Sequence, residues 1–259
     1  MIRNVCITGG DGYIGINLRK YLENADICCF SVDPGAEFLC KVGSNVDFII
    51  HLAALPGIAA CKDDFDSAVV NNISSAFTVF NLAHRCKIPV IFSSSQAAKA
   101  PDNTYALMKR ICEIEADRLN RIGADIRILR LTNVYGGLEY LERKNTVVKK
   151  FLVAKNMESV IMVNGDGSQI RDFIHVDDVC EAIYLCMLRK ERMIKPVDIG
   201  TGIGISILDL AKMMDCTFTF VPDSAIVGAT ESIADIKRAE KLFSFKAKRL
   251  LQTYLEKEK

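Results

Sequence analysis

Histidine is scarce in this chain. There are three among 259 residues, none spaced as a metal-ligating pair, which argues against zinc. Charge of one sign is lacking too: 33 lysines and arginines face 32 acidic residues, for a net charge of +1. Nothing therefore favours a nucleic acid or an anionic membrane as partner. The basic cluster at residues 143–150 is short and reads as a solvated helix face. No apolar run approaches the roughly 20 residues needed to span a bilayer, and the N-terminus reads as a strand rather than a signal peptide. Repeats and low-complexity linkers are absent. The ten cysteines never fall in C-x-x-C spacing, and Cys6, Cys28 and Cys29 lie in core-like strand segments. They read as reduced thiols serving as small apolar residues, which points to the cytoplasm.

What is present in quantity is apolar surface. Half the residues are hydrophobic and a quarter charged, the composition of a soluble chain with a sizeable core. The length suits one large domain, or a core domain with a smaller lobe.

The most informative segment is Ile7-Thr8-Gly9-Gly10-Asp11-Gly12-Tyr13-Ile14-Gly15. It follows the apolar run Val5-Cys6-Ile7 and opens a helical stripe of Ile14, Leu18 and Leu22. In this G-x-x-G-x-x-G pattern Gly9 permits a tight exit from a strand. Gly12 lets a pyrophosphate approach the backbone, and Gly15 lets the helix pack close to the sheet. Free N–H groups and the positive dipole end of the helix suit phosphate. A second apolar run ends at Asp33, 18 residues past Gly15, where a carboxylate would hold a ribose 2′-hydroxyl. No arginine adjoins Asp33, which favours NAD over NADP.

Strand-like segments at 4–8, 27–32, 48–52, 89–93, 125–131 and 196–199 alternate with helical ones, notably 66–86 and 105–121. That alternation predicts an α/β fold: a Rossmann-type doubly wound parallel sheet. Glycine-rich stretches at 136–137, 165–167 and 200–204 mark loops. Past Gly137 the alternation loosens. The expected division is a nucleotide-binding domain over residues 1–137 and a smaller C-terminal lobe over residues 138–259, with strand 196–199 returning to the main sheet.

Two further segments carry chemistry. Tyr105 and Lys109 open a helix four residues apart, which places phenol and ammonium on one face. Free tyrosine titrates at about 10 and is a poor base at neutral pH. Positive charge from Lys109 and from a nicotinamide ring would stabilise its phenolate. Just upstream, Ile91-Phe92-Ser93-Ser94-Ser95 runs a strand into hydroxyls, where side chains converge over a bound cofactor. His51 and His175 read as packed, hydrogen-bonded residues.

From residue 3 to about 245 the chain resembles the extended short-chain dehydrogenase/reductases, specifically the NAD-dependent nucleotide-sugar epimerases and dehydratases. The resemblance rests on the glycine segment, His51-Leu52-Ala53-Ala54, Asn72, Ser93-Ser94-Ser95 and the Tyr105/Lys109 pair. It continues through Leu129-Arg130-Leu131-Thr132-Asn133-Val134-Tyr135-Gly136, the stretch 165–178 and Ile199-Gly200-Thr201-Gly202. It implies that Tyr13, Ile14, Asp33, Leu52, Ala53, Ala54, Asn72, Tyr105 and Lys109 contact NAD. It implies further that Ser95 bonds the sugar hydroxyl, that Tyr105 takes its proton, and that the cofactor accepts hydride from the same carbon to leave a transient 4-keto sugar. Asn133 and Arg171 would hold the diphosphate of a nucleotide-diphosphate sugar, a task suited to a planar guanidinium. Arg171 has a competing reading as a salt-bridge partner of Asp172 or Asp178. The C-terminal lobe would be mostly substrate-binding. The family further implies a homodimer through helices 66–86 and 105–121, with Phe77, Phe80 and Leu119 as candidate contacts that could equally face the sheet.

The chain departs from the family pattern in four places. Residues 34–47 leave little space for the further strand and helix that usually complete the adenine site. The loop 96–104 is short and lacks the V-Y-G that normally follows the serines. Residues 222–234 contain no arginine to clamp the nucleotide. Gln96 and Ala97 stand where dehydratases carry an Asp-Glu pair, and neither can act as a general acid. The reading is therefore an NAD-dependent epimerase, acting at C4, ahead of a dehydratase. A 4-keto-sugar reductase or dehydrogenase is the enzymatic alternative, and an NAD-binding regulatory protein with little catalysis the non-enzymatic one.

Overall fold

In β1 (Asn4–Thr8), Val5 and Ile7 join one core while Cys6 joins another, as the two-residue pleat dictates. A strand buried on both faces belongs in a parallel sheet covered by helices. The computed structural model, which describes residues 2–34, 45–137, 146–222 and 230–257, contains that sheet. Its strands are β1, β2 (Cys28–Ser31), β3 (Phe48–His51), β4 (Val90–Ser95), β5 (Ile126–Leu131) and the ninth in the chain, β9 (Val197–Ile199). Their order is β2-β1-β3-β4-β5-β9, every pair parallel. The order reverses between β1 and β3, and at that switch point the carboxyl ends of the strands open a crevice.

Helix α1 (Tyr13–Glu23) covers one face of the sheet. The other face carries α2 (Ile58–Asp63), α3 (Phe65–Val69), a π turn (Val70–Ser74), α4 (Ser75–Cys86) and α5 (Thr104–Arg121). The expected helix 66–86 is thus interrupted by a wider turn, a feature that tends to occur at functional positions. Phe80 and Leu119 are buried against the sheet. They are not surface contacts, which corrects their assignment to a dimer interface; Phe77 is partly buried on the same core. Cys28 is also corrected: it lies exposed on β2, the outermost strand among the described residues, whereas Cys6 is buried.

After β5 come β6 (Asn133–Tyr135), α6 (Val147–Asn156), β7 (Ile161–Asn164), β8 (Ile170–His175) and α7 (Val176–Leu188). Helix α7 returns to the main sheet beside α1. Then follow β9, β10 (Gly204–Ser206), α8 (Ile207–Met213), β11 (Phe218–Val221), β12 (Glu231–Ser232), α9 (Lys237–Phe243) and α10 (Leu251–Lys257). β8 pairs with β6, β10 and β12, and β7 with β11. Around them a separate core gathers Tyr135, Phe151, Phe173, Leu210 and Leu255. Two buried carboxylates organise this region. Asp172 accepts from Thr201, Gly202 and Ala234, while Asp178 accepts from the Lys248 and Arg249 backbone and from the Arg249 guanidinium. Most of the shortened 34–47 segment and residues 223–229 of the arginine-free stretch lie outside the described residues, as do 143–145 of the basic cluster.

Candidate active site

The glycine turn follows from its contacts. Gly9 has φ +71°, and a Cβ there would meet the Ala53 nitrogen at 2.7 Å. A Cβ on Gly15 would lie 2.3 Å from the Gly9 carbonyl oxygen, so α1 can approach the turn this closely only with glycine. Gly12, by contrast, faces open space apart from the Gly9 oxygen at 3.1 Å. It caps α1 without a side-chain hydrogen bond, and the first turn carries no acidic residue. The helix end therefore offers uncapped N–H groups beside a glycine cradle, which fits a dinucleotide pyrophosphate. Tyr13 supports the turn from behind, its phenol donating to the Gly136 carbonyl at 2.5 Å.

In front of this turn lies a cavity of about 350 Å³, lined by Gly9, Gly12, Tyr13, Ile14, Gly15, Leu52, Ala53 and Ala54 and, across from them, by Ser95, Tyr105 and Lys109. A second cavity of about 440 Å³ adjoins it, lined by Ser95, Gln96, Lys99, Tyr105, Asn133, Arg171 and Ser232. Ser95 and Tyr105 border both cavities. Arg171 borders the second and also a third cavity of about 640 Å³ that includes Lys150, Asn164, Gln169 and Thr230.

Strand β4 extends through Ser95, in register with β5 at Ser94↔Arg130 and Ser95↔Leu131, two residues beyond its sequence-predicted end. The extension is possible because the buried Ser94 hydroxyl donates to Glu113, which also receives Arg130 through two hydrogen bonds of 2.8 and 2.6 Å. Ser95 then caps the short 3₁₀ turn Gln96–Lys99, accepting from the Ala97 N–H at 3.3 Å. On α5, Asn103 is the N-cap and Tyr105 and Lys109 follow in the first turns. The Lys109 ammonium donates to the Ser93 carbonyl at 2.9 Å and stands 5.8 Å from the centre of the Tyr105 ring.

Burial sets the electrostatics of this corner. It pushes the Lys109 ammonium down to about 8 and raises the Tyr105 phenol well above its ordinary value. The protein alone, Lys109 included, therefore keeps Tyr105 protonated, and ionising it takes added positive charge such as that of an oxidised nicotinamide. His51 is buried behind Lys109, pushed down to about 3 by burial and by the lysine's charge. Its Nδ1 meets the Thr8 hydroxyl at 2.6 Å. His175 caps α7. Both are structural.

Two of the expected cofactor contacts do not line this cavity. Asn72 does not line the cavity. It lies buried in the π turn, where its side chain accepts from the Leu55 N–H at 2.8 Å and donates to the Leu55 carbonyl at 3.1 Å. It thereby braces the loop that carries Leu52, Ala53 and Ala54. Asp33 stands exposed just past β2, outside the cavity lining. Arg171 does not pair with Asp172 or Asp178, whose partners are those given above; its guanidinium donates to the Ile170 carbonyl at 2.8 Å. Sequence reasoning missed Lys99, Thr132, Ser232 and Ile233 as cavity residues. Ser232 and Ile233 do carry a signal, since Ser232-Ile233-Ala234-Asp235 matches the family pattern, and Thr132 lies within the stretch 129–136 that carries the resemblance.

Fold and site together define a dinucleotide-binding, doubly wound α/β protein with a serine, a tyrosine and a lysine gathered at the mouth of a second cavity. The chain belongs to the NAD dependent epimerase/dehydratase family, whose model matches residues 5–200. A Methanocaldococcus jannaschii protein, provisionally named UDP-glucose 4-epimerase, is 27% identical over 92% of each chain. The dTDP-4-dehydro-6-deoxy-D-allose reductase of Streptomyces bikiniensis is 28% identical, covering 78% of this chain and 70% of its own. Among solved structures, the UDP-glucuronic acid 4-epimerase of Bacillus cereus, in complex with UDP-glucuronic acid and NAD, superposes with a TM-score of 0.84 at 22% identity. It covers 98% of this chain and 97% of that one.

Proposed function

We propose that the protein is an NAD-dependent nucleotide-sugar epimerase that inverts C4 through a transient 4-keto sugar. The observation that carries this reading is the position of Ser95 and Tyr105 on the shared border of two cavities, one beside the glycine turn and one beside Arg171. A sugar carbinol held there lies between the phenol and the cofactor. Ser95 orients the hydroxyl, Tyr105 takes and later returns its proton, and Lys109 supplies the fixed charge that makes the phenol a usable base. When bound, NAD supplies the reversible removal of hydride from the carbinol carbon. Asn133 and Arg171 hold the diphosphate, and the third cavity, beyond Arg171, takes the nucleoside. The keto sugar must turn over before reduction, and a cavity of about 440 Å³ gives it room. Gln96 donates its amide to Asp198 and to the Ile233 carbonyl, and an amide at that position cannot protonate a leaving hydroxyl, which supports epimerisation over dehydration.

The same residues would serve a 4-keto-sugar reductase, and the Streptomyces relative favours that second reading. Incubation with UDP-, dTDP-, GDP- and CDP-sugars, with products followed by NMR, separates them. An epimerase inverts a sugar with no net change in the nicotinamide absorbance, whereas a reductase consumes the reduced cofactor stoichiometrically. Tyr105→Phe is expected to abolish turnover while NAD still binds; persistent turnover would remove Tyr105 from this role.

A homodimer also fits. Val70, Leu107 and Ile114 are 60, 51 and 57% exposed on the outer face of the π turn and α5, Leu107 and Ile114 being two turns apart on one side. The nine described cysteines are free thiols, which supports a reducing, cytoplasmic setting. No described helix is long and apolar enough to cross a membrane.

A further inference from the structure

The 3₁₀ turn after Ser95 is bolted to a strand that enters the sheet a hundred residues later. Asp198 of β9 is only 6% exposed. Its carboxylate accepts from the Gln96 amide at 3.0 Å, from the Lys99 ammonium at 2.5 Å and from the Asp235 N–H at 3.0 Å. Gln96 and Lys99 are the first and last residues of the turn. In a 3₁₀ helix, residues i and i+3 eclipse, so both side chains leave on the same side and reach one acceptor. The amide of Gln96 has a fixed orientation, because its two partners, Asp198 and the Ile233 carbonyl, accept only. The turn between them supplies the Ala97 N–H that holds the Ser95 hydroxyl. Ile233 lines the same cavity as Ser95, with Glu231 and Ser232, and Asp235 follows two residues later.

We propose that Asp198 is a positioning residue for catalysis: through Gln96 and Lys99 it fixes the turn that aims Ser95, and through Asp235 it anchors the chain just past the segment that lines the same cavity. The consequence for turnover rests on the reading of Ser95 as the residue that orients the sugar hydroxyl. The clasp itself does not. A charged tether of this kind can hold a short loop in place, so a short loop need not mean a loose site.

Asp198→Asn keeps the shape and removes the charge that binds three donors at once. In the variant, kcat is expected to fall at least tenfold while KM for the sugar nucleotide moves less than threefold and NAD affinity is unchanged. Lys99→Met should lower kcat in the same direction, and Lys99→Arg should restore most of it; both are tolerable substitutions because the Lys99 side chain is 42% exposed. Without any substrate, hydrogen exchange at the Ala97 amide should accelerate at least tenfold in Asp198→Asn, while α1 and α5 keep their protection. Unchanged Ala97 exchange would overturn the proposal. So would a Lys99→Met enzyme with raised KM and intact kcat, since Lys99 would then be a direct substrate contact. If Asp198→Asn does not fold, exchange and kinetics of the two Lys99 variants decide. If the wild type turns over no sugar nucleotide, the epimerase reading fails, and the exchange measurement still tests the clasp.

Discussion

Replacing Lys109 by methionine should make the protein more stable and less active at once, and the size of the gain follows from the site. The lysine is 3% exposed, and burial moves its ammonium from 10.5 to about 8. Each tenfold change in a protonation equilibrium is worth about 1.4 kcal/mol. Holding the cation in the fold at neutral pH therefore costs about 3 kcal/mol. Methionine keeps an unbranched apolar chain and drops the charge. What it loses is the bond to the Ser93 carbonyl, worth about 1 kcal/mol. The net expectation is a gain of about 2 kcal/mol, a rise in Tm of about 4–8 °C for a chain of this size.

The pH dependence gives the reasoning its sharper test. The folded pKa of Lys109 lies below its unfolded value, so the penalty is complete below about 8. It shrinks as pH rises from about 8 toward 10.5, where both states become neutral. Thermal unfolding of cofactor-free wild type and Lys109→Met at pH 7 and pH 10 reads this directly: the advantage of the variant should be full at the first and largely gone at the second. Turnover should fall about a hundredfold, the usual scale for a group that tunes a general base. A variant less stable than wild type at pH 7, or a difference that ignores pH, would refute the claim that charge burial dominates here.

Other consequences are simpler to state. Asn72→Ala leaves the Leu55 N–H and carbonyl without their side-chain partner; it should cost about 1–3 kcal/mol in a denaturant titration and weaken NAD binding through the loop, without touching the cofactor cavity. Gly15→Ala drives a methyl against backbone 2.3–2.6 Å away, so NAD affinity measured by calorimetry should drop at least tenfold along with about 1–3 kcal/mol of stability. Leu107→Glu combined with Ile114→Glu should dissociate a dimer in analytical ultracentrifugation while the folded monomer persists, because both side chains are exposed in the single chain.

How much of this was legible beforehand depends on where each residue's partners lie. Strands β1, β3 and β5 are apolar on both faces and announce themselves. The end of β4 does not, because Ser94 looks like a turn residue until Glu113 and Arg130 are seen to satisfy it. Leu119 lies on a helix that also exposes Leu107 and Ile114, so periodicity alone does not say which side meets the sheet. The motif points Asn72 at the cofactor, and only the fold reveals that it sits in a π turn and braces Leu55.

The geometry around Ser95 was the least legible of all, for a reason that is physical rather than statistical. In an α-helix residues 96 and 99 would point about 60° apart around the axis; in the 3₁₀ turn they eclipse. Nothing in Gln96-Ala97-Ala98-Lys99 selects between those windings. The selection comes from Asp198, which rewards the winding that brings an amide and an ammonium to one carboxylate. Asp198 in turn reaches the sheet only after the chain has built α7 and added β9 beside β5. The hydroxyl that would face the substrate is thus aimed by the last strand to join, and a chain interrupted before β9 would carry Ser95, Tyr105 and Lys109 without the means to set the first of them.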